Sequence, residues 1–362
     1  MKNVAFYLPQ YHSFPENDAW WGKGFTEWTN VKKSSPQFKN HYQPEVPFEK
    51  NYYNLLDGNF QVAQSDMALS YGIDAFCYYH YWFSGKLLLE KPLENMLHNK
   101  NIKMPYMMCW ANESWTRSWD GKTNSILIEQ NNDEDEAAWK NHFEYLLQFF
   151  KDERYEKMDN KPVFLIYKPQ LIHSCDKMMI YWNELAVENG FSGIYWGWQH
   201  PSAEASSIKD QFDFGVNFEP LYTVQKMKEK YLDNIGHELA YGLHHPAWLR
   251  NKIAYKCFKK PLIHNYDDIW ADILNRESNQ KMMPGAFPAW DNTPRRGNQS
   301  TIFWEADPEK FKRYYGQLVE KYKNKSMYLF INAWNEWGEG AHLEPDEKFG
   351  FGYLDVIKEY HH

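Results

Sequence analysis

Glu336 and Glu339 have the spacing of a catalytic pair of carboxylates. Gly338 and Gly340 stand beside them, and glycines so close together favour a turn over a continued strand. In a turn or a first helical step, side chains three residues apart share a face, with Cβ atoms about 5–6 Å apart. Glycosidases hold their two carboxyl groups roughly 5 to 9.5 Å apart. Because two carboxylates that close cannot both ionise freely, we expect one to act as a general acid and the other as a base.

The neighbours of this pair favour the catalytic interpretation. Trp334 and Trp337 flank the two glutamates and would exclude water, which raises the pKa of the acid further. Glu113 and Glu219 also follow apolar runs, so several carboxylates stand at equivalent positions along the chain. The alternative, in which the two glutamates only cap a helix and form ion pairs, stays open at this point.

The elements that would position these residues are eight short runs rich in β-branched and aromatic residues, which predict β-strands. They span residues 4–11, 73–81, 105–111, 162–168, 193–199, 214–219, 282–289 and 327–333. Helical patterns cover residues 60–71, 134–150, 175–189 and 308–323, and the last opens with the cap signature Asp307-Pro308. Buried parallel strands alternating with helices form right-handed βα units. The sequence therefore predicts an α/β fold, a (β/α)8 TIM barrel, with long loops after strands 1 and 6.

Polar and aromatic residues collect where the predicted strands end, which is the face that carries the active site in such barrels. A sugar ring offers apolar faces for stacking and hydroxyl edges for hydrogen bonds, so these residues suit a carbohydrate. The stretch Arg295-Arg296-Gly297 could bind a carboxylate or phosphate of the ligand, and a plain surface role suits it as well. Trp20, Trp21 and Trp28, in the first long loop, are as compatible with sugar stacking as with local packing. The candidate substrate-binding residues are Tyr7, His12, Trp28, Tyr79, His80, Trp110, Asn112, Glu113, Trp198, Glu219, Trp290, Arg295, Trp334 and Asn335.

The composition narrows the class of ligand. The 362 residues include 17 Trp, 26 Tyr and 23 Phe, more aromatic side chains than a core needs, which again favours a sugar. The net charge of −8 makes nucleic acid an improbable partner. Nothing marks a second domain, so we expect one catalytic domain over residues 1–362, although its oligomeric state is left open.

Other chemistries find less support in the sequence. His12, His80 and His200 follow strands and could ligate a metal with Glu219 or Asp291, but HExxH and HxH pairs are absent. There is no GxSxG elbow for a serine nucleophile and no GxGxxG or GKS/T for a nucleotide phosphate. The four cysteines show no CxxC spacing. We therefore expect neither a metal nor another cofactor.

The chain is expected to act in the cytoplasm. Its first residues lack the apolar run and cleavage site of a signal peptide, and no segment reaches the ~18 apolar residues of a membrane helix. The long stretch after strand 6, residues 221–281, holds a basic run and the motif His244-His245-Pro246. A solvated helical face is the simpler interpretation of the basic run, and docking to an anionic surface or polysaccharide is the alternative.

Four motifs make the sequence resemble the WbsX-type family, a relative of glycoside hydrolase family 99. They are Val4-Ala5-Phe6-Tyr7-Leu8-Pro9-Gln10-Tyr11-His12 with Gly24-Phe25-Thr26-Glu27-Trp28, then Cys109-Trp110-Ala111-Asn112-Glu113-Ser114-Trp115, and finally the stretch from Asn332 to Asp346. The resemblance spans residues 4 to about 356. It implies a barrel fold and carbohydrate chemistry, often linked to bacterial surface polysaccharides such as lipopolysaccharide, in proteins labelled either glycosyltransferases or family 99-like hydrolases.

Family 99 itself contains retaining endo-α-mannosidases that form no covalent enzyme intermediate. In that family one Glu takes the proton of the substrate 2-hydroxyl, whose oxygen closes onto the anomeric carbon, and a second Glu three residues later protonates the leaving group. The resemblance therefore implies that Glu336 is the base and Glu339 the general acid/base. The intervening Trp337-Gly338 and the flanking residues depart from the family 99 pattern, so the sugar cannot be carried over.

The sequence and the resemblance together thus predict a retaining, metal-independent glycoside hydrolase-like enzyme that cleaves a bacterial surface oligo- or polysaccharide. The resemblance implies an α-mannoside-like bond as one candidate. Two alternatives remain. The first is a glycosyltransferase of O-antigen or capsular polysaccharide biosynthesis, using a lipid-linked or nucleotide-activated sugar. The second is a carbohydrate-binding barrel without catalysis, which fits the aromatic content equally well.

Overall fold

A computed structural model describes residues 1–116, 126–131, 135–200, 207–232, 255, 257 and 259–361. Seventeen strands are found in this described part. They are β1 (Lys2–Tyr7), β2 (Ala75–Phe83), β3 (Lys86–Leu88), β4 (Tyr106–Trp110), β5 (Trp115–Thr116), β6 (Ile126–Ile128), β7 (Lys157–Met158), β8 (Lys161–Ile166), β9 (Tyr195–Trp198), β10 (Phe214–Val216), β11 (Leu262–Asn265), β12 (Met282–Met283), β13 (Gly285–Ala286), β14 (Thr301–Trp304), β15 (Tyr328–Ile331), β16 (Asn335–Glu336) and β17 (Ala341–His342).

The main sheet is a nearly closed, mostly parallel barrel, so the predicted fold class is confirmed. Its hydrogen-bonded order is β12-β10-β9-β8-β4-β2-β1-β15-β13. The two ends of this order, β12 and β13, are consecutive pieces of one segment on either side of Pro284. Because β12 pairs with β10 and β13 pairs with β15, that single segment closes the ring. All eight predicted strands are present, and the seventh is the one divided in two.

Helices lie between most of the barrel strands. They are α1 (Pro15–Trp21), α2 (Glu27–Lys33), α3 (Gly58–Ser70), α4 (Glu90–His98), α5 (Glu136–Phe150), α6 (Cys175–Glu188), α7 (Leu221–Leu232), α8 (Tyr266–Asn275), α9 (Thr293–Arg296), α10 (Pro308–Tyr322) and α11 (Gly352–Tyr360). The four predicted helices are confirmed as α3, α5, α6 and α10, with ends that differ by at most two residues. Asp307 accepts a hydrogen bond from the Lys310 backbone N–H at 2.8 Å, so the predicted cap of α10 is confirmed too.

The barrel strands are buried on both faces, which is why they are apolar throughout rather than alternating. All nine side chains of β2 and all five of β4 are buried. The first long loop holds α1 and α2. The second holds α7, β11 and α8, while His244, His245, Pro246, Arg250, Lys252 and Lys256 lie outside the described residues. Within the part of the chain that the structure describes, no helix is long and apolar enough to cross a bilayer.

Candidate active site

The stretch from Asn335 to His342 forms a tight hairpin just beyond the last barrel strand. β16 and β17 pair antiparallel, with Glu336 opposite Ala341, and a single 3₁₀ turn, Trp337–Glu339, joins them. Gly340 ends that turn with φ +58°, a left-handed conformation that glycine adopts at little cost. The turn predicted from Gly338 and Gly340 is therefore confirmed.

One guanidinium group holds both glutamates of the pair and a third one. Arg295 donates from Nη2 to Glu336 Oε2 at 2.9 Å and from Nη1 to Glu339 Oε1 at 2.7 Å. Its Nε donates to Glu27 Oε1 at 2.8 Å. Only the planar fork of arginine can meet three carboxylates in this way. The two glutamates thus converge on one point, and three negative charges face a single positive charge.

A network around Asp291 fixes Arg295 in this position. Arg295 lies on the short helix α9, and Asp291 accepts from the Thr293 backbone N–H at its start at 2.9 Å. His41 and Gln43 contact the other carboxylate oxygen of Asp291 at 2.7 and 2.6 Å. The Asp291 backbone N–H donates to the Glu339 carbonyl at 2.6 Å. The helix that carries the guanidinium is therefore tied directly to the turn that carries the carboxylates.

Trp337 anchors the turn from the opposite side. Its Nε1 donates to Glu344 Oε2 at 2.7 Å, and its ring stacks on His342 with centroids 3.6 Å apart. Tyr53 donates a second hydrogen bond to Glu344 at 2.7 Å. Since Trp337 is completely buried, the turn cannot rotate without breaking this packing, so the directions of the two glutamate side chains are fixed.

At Gly338 the turn packs tightly against the ion pair of Glu27 and Arg295. A Cβ at this position would lie 1.9 Å from Glu27 Oε1 and 2.7 Å from Arg295 Nε. Real Cβ atoms do not come so close to other heavy atoms, so only glycine lets the turn pack against the Glu27–Arg295 pair.

Gly338→Ala is therefore expected to lower the free energy of unfolding by about 1–3 kcal/mol, because the methyl group must displace a buried ion pair. Denaturant unfolding followed by circular dichroism measures this loss. Gly350→Ala is the control, since Gly350 has φ +57° and open space around it, so that its cost is backbone strain alone. A smaller loss at position 338 than at position 350 would argue against the close packing.

The two glutamates line a cavity of about 380 Å³ at the carboxyl end of the barrel strands. Arg295 contacts one oxygen of each carboxylate, and within the described residues Glu336 Oε1 and Glu339 Oε2 have no hydrogen-bond partner. Of the two side chains, Glu339 is the more exposed, at 23% against 8%. Other residues that line the cavity are Tyr79, Tyr81, Glu113, Trp115, Tyr167, Phe218 and Arg296.

Burial raises the pKa of both Glu336 and Glu339 above the ordinary glutamate value. The Glu27 carboxylate raises both values further, and the two members of the pair repel each other, while the Arg295 guanidinium opposes these effects. Because the raised values favour the protonated form, the pair retains a proton at pH values where an exposed glutamate has lost it. Acid/base catalysis requires carboxyl groups that can hold a proton near neutral pH, and this pair meets that requirement.

The structure places Tyr79, Glu113, Arg295, Glu336 and Glu339, all identified from the sequence, around this cavity. Glu113 forms an ion pair with Lys168 and keeps 41% of its side chain exposed. Arg295 is committed to three carboxylates of the protein itself, which differs from the ligand grip considered above.

The remaining candidate residues lie away from the cavity. Eight of them have polar partners within the protein: Tyr7 donates to Gln64, His12 contacts the Pro9 carbonyl, Trp28 donates to the Tyr53 carbonyl, His80 contacts His142, Trp110 donates to the Trp82 carbonyl, Asn112 binds the Lys168 backbone, Glu219 pairs with Arg276, and Asn335 binds the Leu8 backbone. Trp198 and Trp334 are buried in the core, and Trp290 lines a different cavity. Among the described residues, no three His, Cys, Asp or Glu side chains are grouped as a metal site.

Sequence reasoning missed Glu27, Tyr81 and Tyr167 as parts of the site, whereas it had considered Arg296, together with Arg295, as a contact for an anionic group of the ligand. Glu27 is buried at the start of α2, where its carboxylate binds Arg295. It lies in the stretch Gly24–Trp28, which contributed to the family resemblance, so Glu27 could have been identified as a site residue from that motif. Tyr81 could have been found from Tyr79, because alternate residues of a strand face the same side.

Comparison with known proteins identifies the family and the fold of the chain. Residues 3–357 match the sequence model of the family described as Glycosyltransferase WbsX. The uncharacterized protein WxcX of Xanthomonas campestris pv. campestris is 33% identical over 362 residues, in strain ATCC 33913 as in strain B100. The alignment covers 98% of this chain and 49% of each relative, so the chain spans about half the length of the curated relatives it matches.

Two solved structures share the fold over 99% of this chain. The GH99 endo-alpha-mannosidase from Bacteroides thetaiotaomicron is similar with a TM-score of 0.54, 14% identity and 96% of its own chain covered. A glycoside hydrolase-like protein is similar with a TM-score of 0.58, again at 14% identity, with 93% of its chain covered. At this identity the likeness establishes the barrel fold.

Proposed function

The chain belongs to the glycosyltransferase WbsX family, and from this and the site geometry we propose that it is a glycan-processing enzyme that cleaves a glycosidic bond with retention. The observation that carries the proposal is the convergence of Glu336 and Glu339 on Arg295 in the wall of a cavity at the carboxyl end of the barrel. A binding protein has no need of two carboxylates with raised pKa values at one point, since burying them costs stability.

In the proposed first step Glu336 accepts the proton of the substrate 2-hydroxyl, whose oxygen forms a bond to the anomeric carbon. The bond from that carbon to the leaving oxygen breaks, and Glu339 gives its proton to the leaving oxygen. In the second step water adds to the anomeric carbon and gives a proton to Glu339. As the water oxygen binds, the bond from the anomeric carbon to the 2-oxygen breaks, and Glu336 returns its proton to the 2-oxygen. Two inversions give net retention.

Arg295 has a positioning role in this scheme. It holds both carboxylates by one oxygen each, which leaves their other oxygens available within the described part of the site. Its charge opposes the rise in pKa that burial causes, which favours ionisation of one member of the pair while the other keeps its proton. The greater exposure of Glu339 suits the residue that exchanges protons with the leaving group and with water.

Cleavage is tested by incubating the whole chain with a panel of α- and β-linked oligosaccharides of bacterial surface polysaccharides. We expect ¹H NMR to show that the product, when it first forms, has the same anomeric configuration as the substrate. Glu336→Gln is the control and should show no product. Binding of oligosaccharides without cleavage by the unaltered chain would instead establish a carbohydrate-binding barrel.

Transfer to an acceptor is a second candidate function, and the description of the family favours it. The second step is chemically the same when an acceptor hydroxyl replaces water. Adding free sugars or alcohols to the cleavage reaction distinguishes the two functions, because a transferase yields a new glycoside where a hydrolase yields the free sugar.

The pH dependence of kcat/KM is expected to report the proton shared by the pair. Because both pKa values are raised, the acid keeps its proton to higher pH than an exposed glutamate does. The activity should therefore fall on the alkaline side of the pH profile, with a midpoint well above about 4.3, the ordinary pKa of glutamate. Glu27→Gln removes a charge that raises both values, so the limb should move to lower pH. A limb that stays in place or moves upward in Glu27→Gln would contradict the assignment.

A further inference from the structure

We propose that the cleft continues past Arg295 and Arg296 into a second cavity that binds a negatively charged sugar unit of the glycan, an inference that rests on the proposed function. This second cavity has a volume of about 490 Å³. Arg295 and Arg296 line it as well as the first cavity, so the two spaces lie on either side of the same pair of side chains. A glycan bound over Glu336 and Glu339 therefore has a neighbouring space for its next unit.

Two buried polar atoms at the second cavity lack partners. Gln10 is 3% exposed, and its Oε1 has no hydrogen bond within the described part of the chain. The same is true of the buried hydroxyl oxygen of Ser34. Both residues line the cavity. A buried polar atom without a partner is destabilising. A small rotation of either side chain would present its oxygen to the cavity, where a sugar hydroxyl would supply the missing hydrogen bond.

The charge of the second cavity favours an anion. Lys33 and Arg296 are exposed along its lining, and neither forms an ion pair with any described residue. Glu27 is the single carboxylate among the described lining residues, and Arg295 already binds it at 2.8 Å. Lys33 has no carboxylate partner in the described residues, and Arg296 forms no ion pair there although its charge also acts on Glu339 of the first cavity. Together the two cations suit the carboxylate of a uronic acid or a phosphate ester on the sugar.

The wall of the second cavity also offers a surface for a sugar ring. Trp21 and Phe25 both line it, and their ring centroids lie 5.8 Å apart. Aromatic faces pack against the apolar faces of pyranose rings. Hydrogen-bonding atoms, two cations and aromatic rings together make a site for a charged sugar.

Calorimetry with matched probes tests this assignment. One pair of probes is an oligosaccharide with a hexuronic acid and its carboxyl-reduced, neutral form. The other is an oligosaccharide phosphate and its phosphatase product. We expect the charged member of at least one pair to bind the whole chain about tenfold more tightly than its neutral partner, with the difference falling as salt is added. The pair that shows the preference identifies the anion.

Lys33→Gln should reduce this preference several-fold, because Lys33 lines the second cavity and not the first. Lys32→Gln is the matched control, since Lys32 carries the same charge on the same helix and lies over the Tyr52 ring at 4.0 Å, but does not line the second cavity. The preference of the Lys32→Gln variant for the charged probe over the neutral probe should equal that of the unaltered chain.

Equal binding of charged and neutral probes, with cleavage retained, would overturn the anionic subsite and leave the proposed function intact. Equal loss of preference in Lys33→Gln and Lys32→Gln would also overturn it, because the effect would then come from net charge alone. If no probe binds and no oligosaccharide is cleaved, the proposed function itself fails.

Discussion

Glu339→Gln is expected to lower kcat by about 10²–10⁴-fold on a glycoside with a poor leaving group, such as another sugar. On a dinitrophenyl glycoside of the same sugar the loss should be far smaller in the step that expels the leaving group. The difference arises because a phenolate that leaves readily needs no proton, whereas a sugar alkoxide does. Steady-state kinetics on the two substrates, together with single-turnover release of the phenol, measures the contrast.

Glu336→Gln is the matched control for this experiment. Its role as base for the 2-hydroxyl does not depend on the leaving group, so both substrates should suffer equally. Both variants replace a carboxylate of a crowded acidic cluster by an amide of the same shape, so neither should unfold the chain, which thermal unfolding checks. Equal losses on both substrates in Glu339→Gln would contradict its role as the general acid.

Local patterns in the sequence were sufficient for the fold and for the pair of glutamates. The barrel strands are predictable because both of their faces are buried, which produces continuous apolar runs. The turn at Glu336 is predictable because Gly340 must adopt φ +58°. Both signals are contained in a few consecutive residues, so a single sequence suffices to find them.

The residues that contact this pair of glutamates could not be predicted from such local patterns. Arg295 and Glu27 are separated by 268 residues, and only the closure of the barrel brings them together.

The length of a strand decided which of the other predicted residues face the cavity. β2 continues to Phe83, so His80 remains within the strand and contacts His142 of α5 at 2.8 Å, while Tyr79 and Tyr81 face the cavity. A prediction that treats every residue near a strand end as part of the site cannot separate these two faces.

Arg295→Gln is expected to destabilise the chain by about 3–5 kcal/mol at alkaline pH, because it removes the cation that contacts three carboxylates in a buried place. The loss should be smaller in acid. Without the guanidinium the pKa values of Glu336 and Glu339 rise further, so the folded chain binds more protons than the unfolded chain. Stability then falls as pH rises through these values, and unfolding in denaturant at about pH 5 and about pH 8 measures the slope.

Arg296→Gln is the matched control for stability, since Arg296 is the next residue, is exposed and has no ion pair among the described residues. It should change the free energy of unfolding by no more than about 0.5 kcal/mol. Equal losses in the two variants at both pH values would show that Arg295 does not balance the acidic cluster.

The double variant Glu27→Gln/Arg295→Gln isolates electrostatics from packing. When Glu27 is made neutral, one of the three repelling carboxylates is removed, so the loss caused by Arg295→Gln should shrink by about 0.5–3 kcal/mol. If the losses in free energy of unfolding caused by Glu27→Gln and by Arg295→Gln simply add in the double variant, the guanidinium acts through its shape alone. A coupling of the expected sign means that the same charge balance supports both the fold of the hairpin and the single proton on which cleavage depends.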